Sequence, residues 1–275
     1  MCVGAILQEG SDRLRGVTDT PQLEAELLLS EAMGHPRVSL LAHPEWTPTP
    51  EQRAVFHGWL DRRATGYPLP YLTSRANFYG LELKVTPDAL IPRPETETLV
   101  DLALQLKPRV AVDVGTGSGA IALALAKHLP HVHIVATDLS AAALQVAAAN
   151  VRRYGLENRI HLVQSDLVRP LALSADLVVS NPPYVAEEEW TTLPRSIQQH
   201  EPALALLGGA GGMTVIRRLL QSAGRILRSG GRLLMEIGAG QGSAAAKQAR
   251  SLLPGTRVSV HADLAGRDRV LDIGF

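Results

Sequence analysis

From about residue 107 onward the chain alternates between two hydrophobic rhythms. Val110–Val114, Val132–Thr137, Ile160–Val163, Leu177–Ser180 and Arg232–Ile237 are short runs rich in β-branched or apolar residues. Between them, Ile121–His128, Ala141–Arg153, Met213–Leu227 and Ala244–Leu252 repeat their apolar positions at helical spacing. Strand and helix in alternation predict an α/β domain with a doubly wound, mostly parallel sheet. Val258–His261 and Val270–Ile273 close the chain as two strands with no helix between them. At least one of these must run antiparallel, and an antiparallel edge strand is expected.

The first 75 residues have a different texture. Thr20-Pro21 is a cap followed by a first-turn proline, with Leu23, Leu27 and Leu28 expected on one face and Gly34 as the stop. Thr49-Pro50-Glu51-Gln52 fits a capping box, after which Val55, Phe56, Trp59 and Leu60 recur at helical spacing, as core residues do. A helical domain over 1–75 is expected, with docking of a substrate as its use. Gly66 to Arg93 is rich in Pro, Tyr, Thr and Gly, and 77–85 reads as two short strands turning near Gly80. A β-hairpin linker is expected over 76–92, leaving 93–275 as the α/β domain. Pro94 then opens a helix, with Glu95 and Glu97 at its positive end.

Composition narrows the classes. Of 275 residues, 45% are hydrophobic, and 27 basic side chains balance 27 acidic ones. Zero net charge argues against a protein that binds nucleic acid through its overall field, although a local basic patch stays open. A single cysteine, Cys2, excludes an internal disulfide and fits a reducing compartment. No apolar run reaches the ~20 residues a membrane span needs, and the N-terminus lacks a basic leader, so no signal peptide is expected. A cytoplasmic, monomeric protein is the expectation.

The chemistry lies at strand ends. Asn181-Pro182-Pro183-Tyr184 directly follows a buried-strand pattern. Its prolines fix φ near about −65° and push the preceding residues into extended conformations, which makes a stiff loop. A side-chain amide, unpaired carbonyls and an aromatic ring suit a planar NH2 group; a plain proline-rich turn is the alternative. Asp113-Val114-Gly115-Thr116-Gly117-Ser118-Gly119-Ala120 joins a strand to a helix. Its glycines allow close backbone approach, and the pattern loosely fits a dinucleotide fingerprint. Asp113 before the first glycine should face a cationic ligand group, which favours S-adenosylmethionine over a pyrophosphate-bearing cofactor. Asp138, ending the next strand, can accept from both ribose hydroxyls or cap the following helix, a role Ser140 can also fill. Asp166 can accept from an adenine amino group or be a solvated loop acid. Gly115, Thr116, Gly117, Gly119 and Asn181 complete the candidate cofactor set; Asn181, Pro182, Pro183 and Tyr184 form the candidate catalytic and substrate set.

Taken with Arg93-Pro94-Glu95-Thr96-Glu97, Glu201-Pro202, Gly208-Gly209, Glu236-Ile237-Gly238 with Gln241, and Asp263 to Arg269, these motifs resemble the PrmC/HemK family. The likeness covers nearly the whole chain. It implies a Rossmann-like class I methyltransferase fold and transfer of methyl from S-adenosylmethionine to N5 of the glutamine in the Gly-Gly-Gln motif of class I peptide chain release factors. On this reading Asn181 Oδ1 and the Pro182 carbonyl accept the substrate N–H groups while Tyr184 packs on the amide face. Two departures bear on loop geometry: Gly211 stands where the family commonly has Asp, and Ser74 where it has Gly.

Rival readings remain at this level. An exocyclic base amine presents the same planar NH2, so a DNA or rRNA base methyltransferase fits the loop, as does an enzyme for a ribosomal-protein glutamine. A nicotinamide-dependent oxidoreductase leaves Asn181 to Tyr184 unexplained, and no damaged motif supports a non-catalytic binding module on this fold. His128, His131 and His133 straddle Pro130 and do not converge, so no metal is expected. His200 is read as a loop residue, and Gly208 to Gly212 as either a mobile loop or a plain turn.

Overall fold

A computed structural model describes residues 1–169 and 171–275. Its contacts divide the chain into two units, Met1–Arg75 with Arg195–His200, and Ala76–Pro194 with Glu201–Phe275. The first unit is helical: α1 (Val3–Leu14), α2 (Pro21–Met33), α3 (Arg37–Ala42), α4 (Pro50–Ala64) and α5 (Leu69–Thr73), with the short helix Arg195–His200. The capping box forms as expected: the Thr49 amide donates to Gln52 Oε1 at 2.9 Å and the Gln52 amide to Thr49 Oγ1 at 3.2 Å. Gly34 closes α2 in the left-handed region at φ 68°. Ile6, Leu14, Leu28, Leu29, Phe56 and Leu60 are fully buried together. The expected face of α2 is corrected. Leu23 and Leu27 keep 38% and 37% of their surface exposed, while Ala25, Leu28 and Leu29 point inward. The run Leu27-Leu28-Leu29 leaves the phase of the stripe undetermined until packing selects it.

The helical domain closes with α5, which ends at Ser74 with φ 56°. The hairpin follows as β1 (Arg75–Phe78) and β2 (Leu81–Lys84). Tyr79 and Gly80 both take positive φ, 50° and 73°, as a tight hairpin turn of matching twist requires. Phe78, Leu81 and Leu83 are buried in the same core as α6 (Glu97–Leu106) and α7 (Ala120–His128), so the hairpin is built into the second unit.

The second unit carries β3 (Val110–Val114), β4 (His133–Asp138), α8 (Ala141–Arg153), β5 (Ile160–Gln164), β6 (Ala175–Ser180), β7 (Val185–Ala186), β8 (Leu207–Gly209), α10 (Thr214–Ala223), β9 (Leu227–Glu236), α11 (Gly242–Leu252), β10 (Arg257–Ala262) and β11 (Asp268–Gly274); Arg195–His200 is α9 in chain order. Seven strands form one sheet in the order β10-β11-β9-β6-β3-β4-β5, parallel from β9 through β5. Side chains alternate across it: Ala111, Leu177 and Val179 pack with α7, and Val112, Val114 and Val178 with α10 and α11.

The antiparallel strand is β11, and it lies one place in from the edge, between β9 and β10. A tight turn reverses the chain, with the Asp263 amide bonded to the Arg267 carbonyl at 2.9 Å. Val270, Leu271 and Ile273 are fully buried, whereas β10 stays partly exposed. The more apolar arm thus takes the interior place and the edge goes to β10. Helix α10 ends at Ala223, short of the expected Leu227, which instead begins β9. Among the described residues no helix is long and apolar enough to cross a membrane.

Candidate active site

The sheet order reverses at β3, which has β4 on one side and β6 on the other. Open α/β sheets bind ligands outside the carboxyl ends of strands at such a point. The loops that follow β3, β4, β5 and β6 there line a cavity of about 250 Å³.

Gly115, Gly117 and Gly119 each take φ between 56° and 84°, a turn that side chains with a Cβ resist. The Gly115 and Thr116 amides donate to the Thr137 carbonyl at 2.8 and 2.9 Å, and the Gly117 amide to Asp138 Oδ2 at 2.8 Å. Gly115, Thr116, Gly117 and Ser118 reach the cavity wall. Asp138 lies in that wall, with its other oxygen accepting from the Ser140 amide at 2.9 Å. Ser140, not Asp138, caps α8, accepting from the Ala143 amide at 3.1 Å. Burial raises the Asp138 pKa. Each of its oxygens retains a lone pair for a hydroxyl donor.

Asp113 departs from expectation. It is fully buried behind the glycine loop and is absent from the cavity wall. Its Oδ2 accepts from Thr116 Oγ1 at 2.6 Å and from the Ala122 amide at 3.2 Å, while Oδ1 has no partner among the described residues. Burial pushes its pKa up to about 7. In this arrangement it holds the loop to α7. Asp166 does line the cavity, and Arg218 pairs with its Oδ2 at 2.6 Å.

After β6, Asn181 and Pro183 line the cavity, Pro182 is buried, and Tyr184 lies outside the wall. The Tyr184 hydroxyl donates to Glu236 Oε1 at 3.1 Å. Burial first, then the neighbouring Glu236 charge, raises the phenol's pKa and keeps it a donor. Asn181 Nδ2 donates to Thr96 Oγ1 at 3.1 Å, and Thr96 Oγ1 donates to Glu236 Oε2 at 2.6 Å. Glu236 has no exposed surface, and burial raises its pKa against the pull of these hydrogen bonds and of Arg269.

Gly208 to Gly212 backs this loop. A Cβ on Gly208 would sit 2.6 Å from the carbonyl oxygens of both Pro183 and Gly212; one on Gly212 would sit 2.0 Å from that of Tyr184. β7 and β8 pair alongside, and Gln241 Nε2 donates to the Tyr184 carbonyl at 2.9 Å. Gly211, by contrast, has open space around its Cβ position and φ 57°, a conformation Asp also tolerates.

A methyltransferase small domain model matches residues 95–209, and a PrmC N-terminal domain model matches residues 5–73. The release factor glutamine methyltransferase of Moorella thermoacetica is 45% identical, covering 92% of this chain and 91% of its own. The chain belongs to the release factor glutamine methyltransferase family. That of Cereibacter sphaeroides is 41% identical over the same shares of the two chains. In fold the chain is similar to a methyltransferase from Pyrococcus furiosus, with TM-score 0.55, 18% identity and coverage of 71% and 89%. The N-terminal domain of human METTL16 in complex with SAH gives TM-score 0.50, 20% identity and coverage of 72% and 76%.

Within this family member, several residues that shape the site are brought together from distant parts of the chain. Thr96 and Glu236 meet across 140 positions. Asn150 is fully buried; its amide accepts from the Lys84 N–H at 2.7 Å and donates to the carbonyls of Lys84 and Ser118, both at 2.9 Å, tying hairpin to glycine loop. Arg93, in the cavity wall, donates to the buried Glu201 at 2.6 Å. Glu97 accepts from the Tyr79 amide at 2.8 Å and so secures the hairpin turn. Among the described residues no three His, Cys, Asp or Glu are placed to hold a metal ion.

Proposed function

We propose that the chain methylates the side-chain amide nitrogen of the glutamine in the Gly-Gly-Gln motif of a class I peptide chain release factor. Family membership supports the reaction, and the fixed presentation of Asn181 at the cavity is the observation that carries it to this site. The cavity residues fit S-adenosylmethionine. Asp138 offers two acceptors for a cis-diol, Asp166 an acceptor beside Arg218, and the glycine loop leaves room for close backbone approach. When bound, it supplies a sulfonium methyl whose carbon–sulfur bond breaks, the pair staying on sulfur, as the new carbon–nitrogen bond forms.

The chain's own task is orientation. An amide lone pair is delocalised, with a rotational barrier of ~18–20 kcal/mol reflecting that resonance, so the nitrogen attacks only when aimed. Asn181 Oδ1 and the Pro182 carbonyl accept its two N–H groups. Tyr184 anchors the loop through Glu236. Alignment of this kind contributes up to about 7–11 kcal/mol, so no strong base is needed, and the displaced proton leaves to water. The protein acts as a monomer in the cytoplasm, on a protein substrate, without nucleic acid or metal; the first unit docks the release factor.

Incubation of a purified release factor with this chain and S-adenosylmethionine should add a single methyl to the Gly-Gly-Gln peptide, as read by mass spectrometry. Methyl incorporated into rRNA or DNA instead would overturn the reading. Asn181→Ala should abolish transfer while leaving the Kd for S-adenosylmethionine nearly unchanged in titration calorimetry.

A further inference from the structure

An asparagine amide has an acceptor end and a donor end of nearly the same shape, so sterics alone do not choose which one meets a ligand. At Asn181 the choice is made by Thr96, itself in the cavity wall, and by the buried Glu236 behind it. Glu236 is fully enclosed at the end of β9, and as a carboxylate it only accepts. Both of its oxygens are occupied by hydroxyl donors, Thr96 at 2.6 Å and Tyr184 at 3.1 Å. Thr96 has one hydroxyl proton, and Glu236 takes it. What Thr96 has left for Asn181 is a lone pair, and only Nδ2 can donate to that, at 3.1 Å. Oδ1 is therefore left at the opposite side of the amide, and Asn181 itself lies in the cavity wall.

We infer that Glu236 and Thr96 are positioning residues that fix the Asn181 amide in its acceptor-inward orientation, and so make the site selective for a substrate amide over a carboxylate of the same shape. A glutamine brings N–H donors to Oδ1. A glutamate brings only acceptors, and lone pair meets lone pair. A site built to bond one hydrogen-bonding pattern rejects its isostere because buried polar groups are left unpaired. This inference rests on the reading that the substrate amide sits against Asn181.

The test compares wild type, Thr96→Val, Thr96→Ser and Glu236→Gln on an intact release factor, with a Gly-Gly-Glu release factor as competitor. Valine keeps the shape and removes the hydroxyl. Glutamine at 236 brings an NH2 that can donate to Thr96 and release its proton towards Asn181. Both changes should lower kcat at least tenfold while the Kd for S-adenosylmethionine stays within twofold. Both should also make the Gly-Gly-Glu protein a competitor at least tenfold tighter than it is against wild type. Thr96→Ser should restore both properties to within threefold. Undiminished kcat, or lost kcat with unchanged preference between the two release factors, overturns the inference. So does loss of cofactor binding and cooperative unfolding in both Thr96→Val and Glu236→Gln, which would assign the pair to holding the fold. Failure of wild type to methylate the intact release factor would instead sink the functional reading beneath it.

Discussion

Asp113 holds its carboxyl where no solvent reaches, and that has a measurable signature. Burial moves its pKa from 3.8 to about 7. Between those values the folded chain keeps a proton that the unfolded chain has released, so the free energy of unfolding falls as pH rises from about 4 to 7. Below that window both states are protonated, and above it both are charged. Asp113→Asn can still accept from Thr116 and Ala122, and it cannot titrate. Thermal unfolding at pH 5 and pH 8 should show a smaller loss of Tm in the variant than in wild type; equal slopes would remove Asp113 as the source. Sequence placed Asp113, Asp138, Asp166 and Asn181 at strand ends because strand periodicity and loop composition are local properties. Which way each carboxylate turns was not legible. Asp113 turns inward to a threonine three residues on, and nothing in the pattern Asp-Val-Gly-Thr distinguishes that from facing a ligand.

At the scale of elements, two positions state what their backbone demands. Ser74 ends α5 at φ 56°, where an L side chain pays a conformational penalty that glycine escapes. Ser74→Gly should stabilise the chain by about 1 kcal/mol, less glycine's own entropy loss, measurable as a higher urea midpoint at unchanged slope. Gly208 makes the opposite demand: its hypothetical Cβ meets two carbonyl oxygens at 2.6 Å and Tyr184 Cα at 2.9 Å. Gly208→Ala must displace the Asn181–Tyr184 loop, and a shift of about 1 Å in a positioning group can cost on the order of 10²-fold in rate. Methyl transfer should fall accordingly while cofactor affinity holds. Elements with strong local signals, such as α8 with its Ser140 cap, lie where the sequence pattern puts them. β7 and β8 were missed because two or three residues, mostly small, carry no periodicity. The inward place of β11 was missed because strand order is set by competition between neighbours for burial.

For the molecule as a whole, that inward place makes β11 structural. Deleting residues 268–275 removes β11 from between β9 and β10 together with the fully buried Val270, Leu271 and Ile273. The truncated chain should lose cooperative unfolding by circular dichroism, whereas loss of a mere edge strand would lower Tm and preserve the transition. Thr96, Asn181, Tyr184 and Glu236 also impose an order in time. Tyr184 and Glu236 are 52 residues apart, so at about 5–20 residues per second the loop leaves the ribosome roughly 3–10 s before its anchor is made. During synthesis the nascent chain therefore carries Asn181 without the carboxylate that orients it. Catalytic competence arrives only once β9 is made, and a chain released before Glu236 is born without its positioning carboxylate.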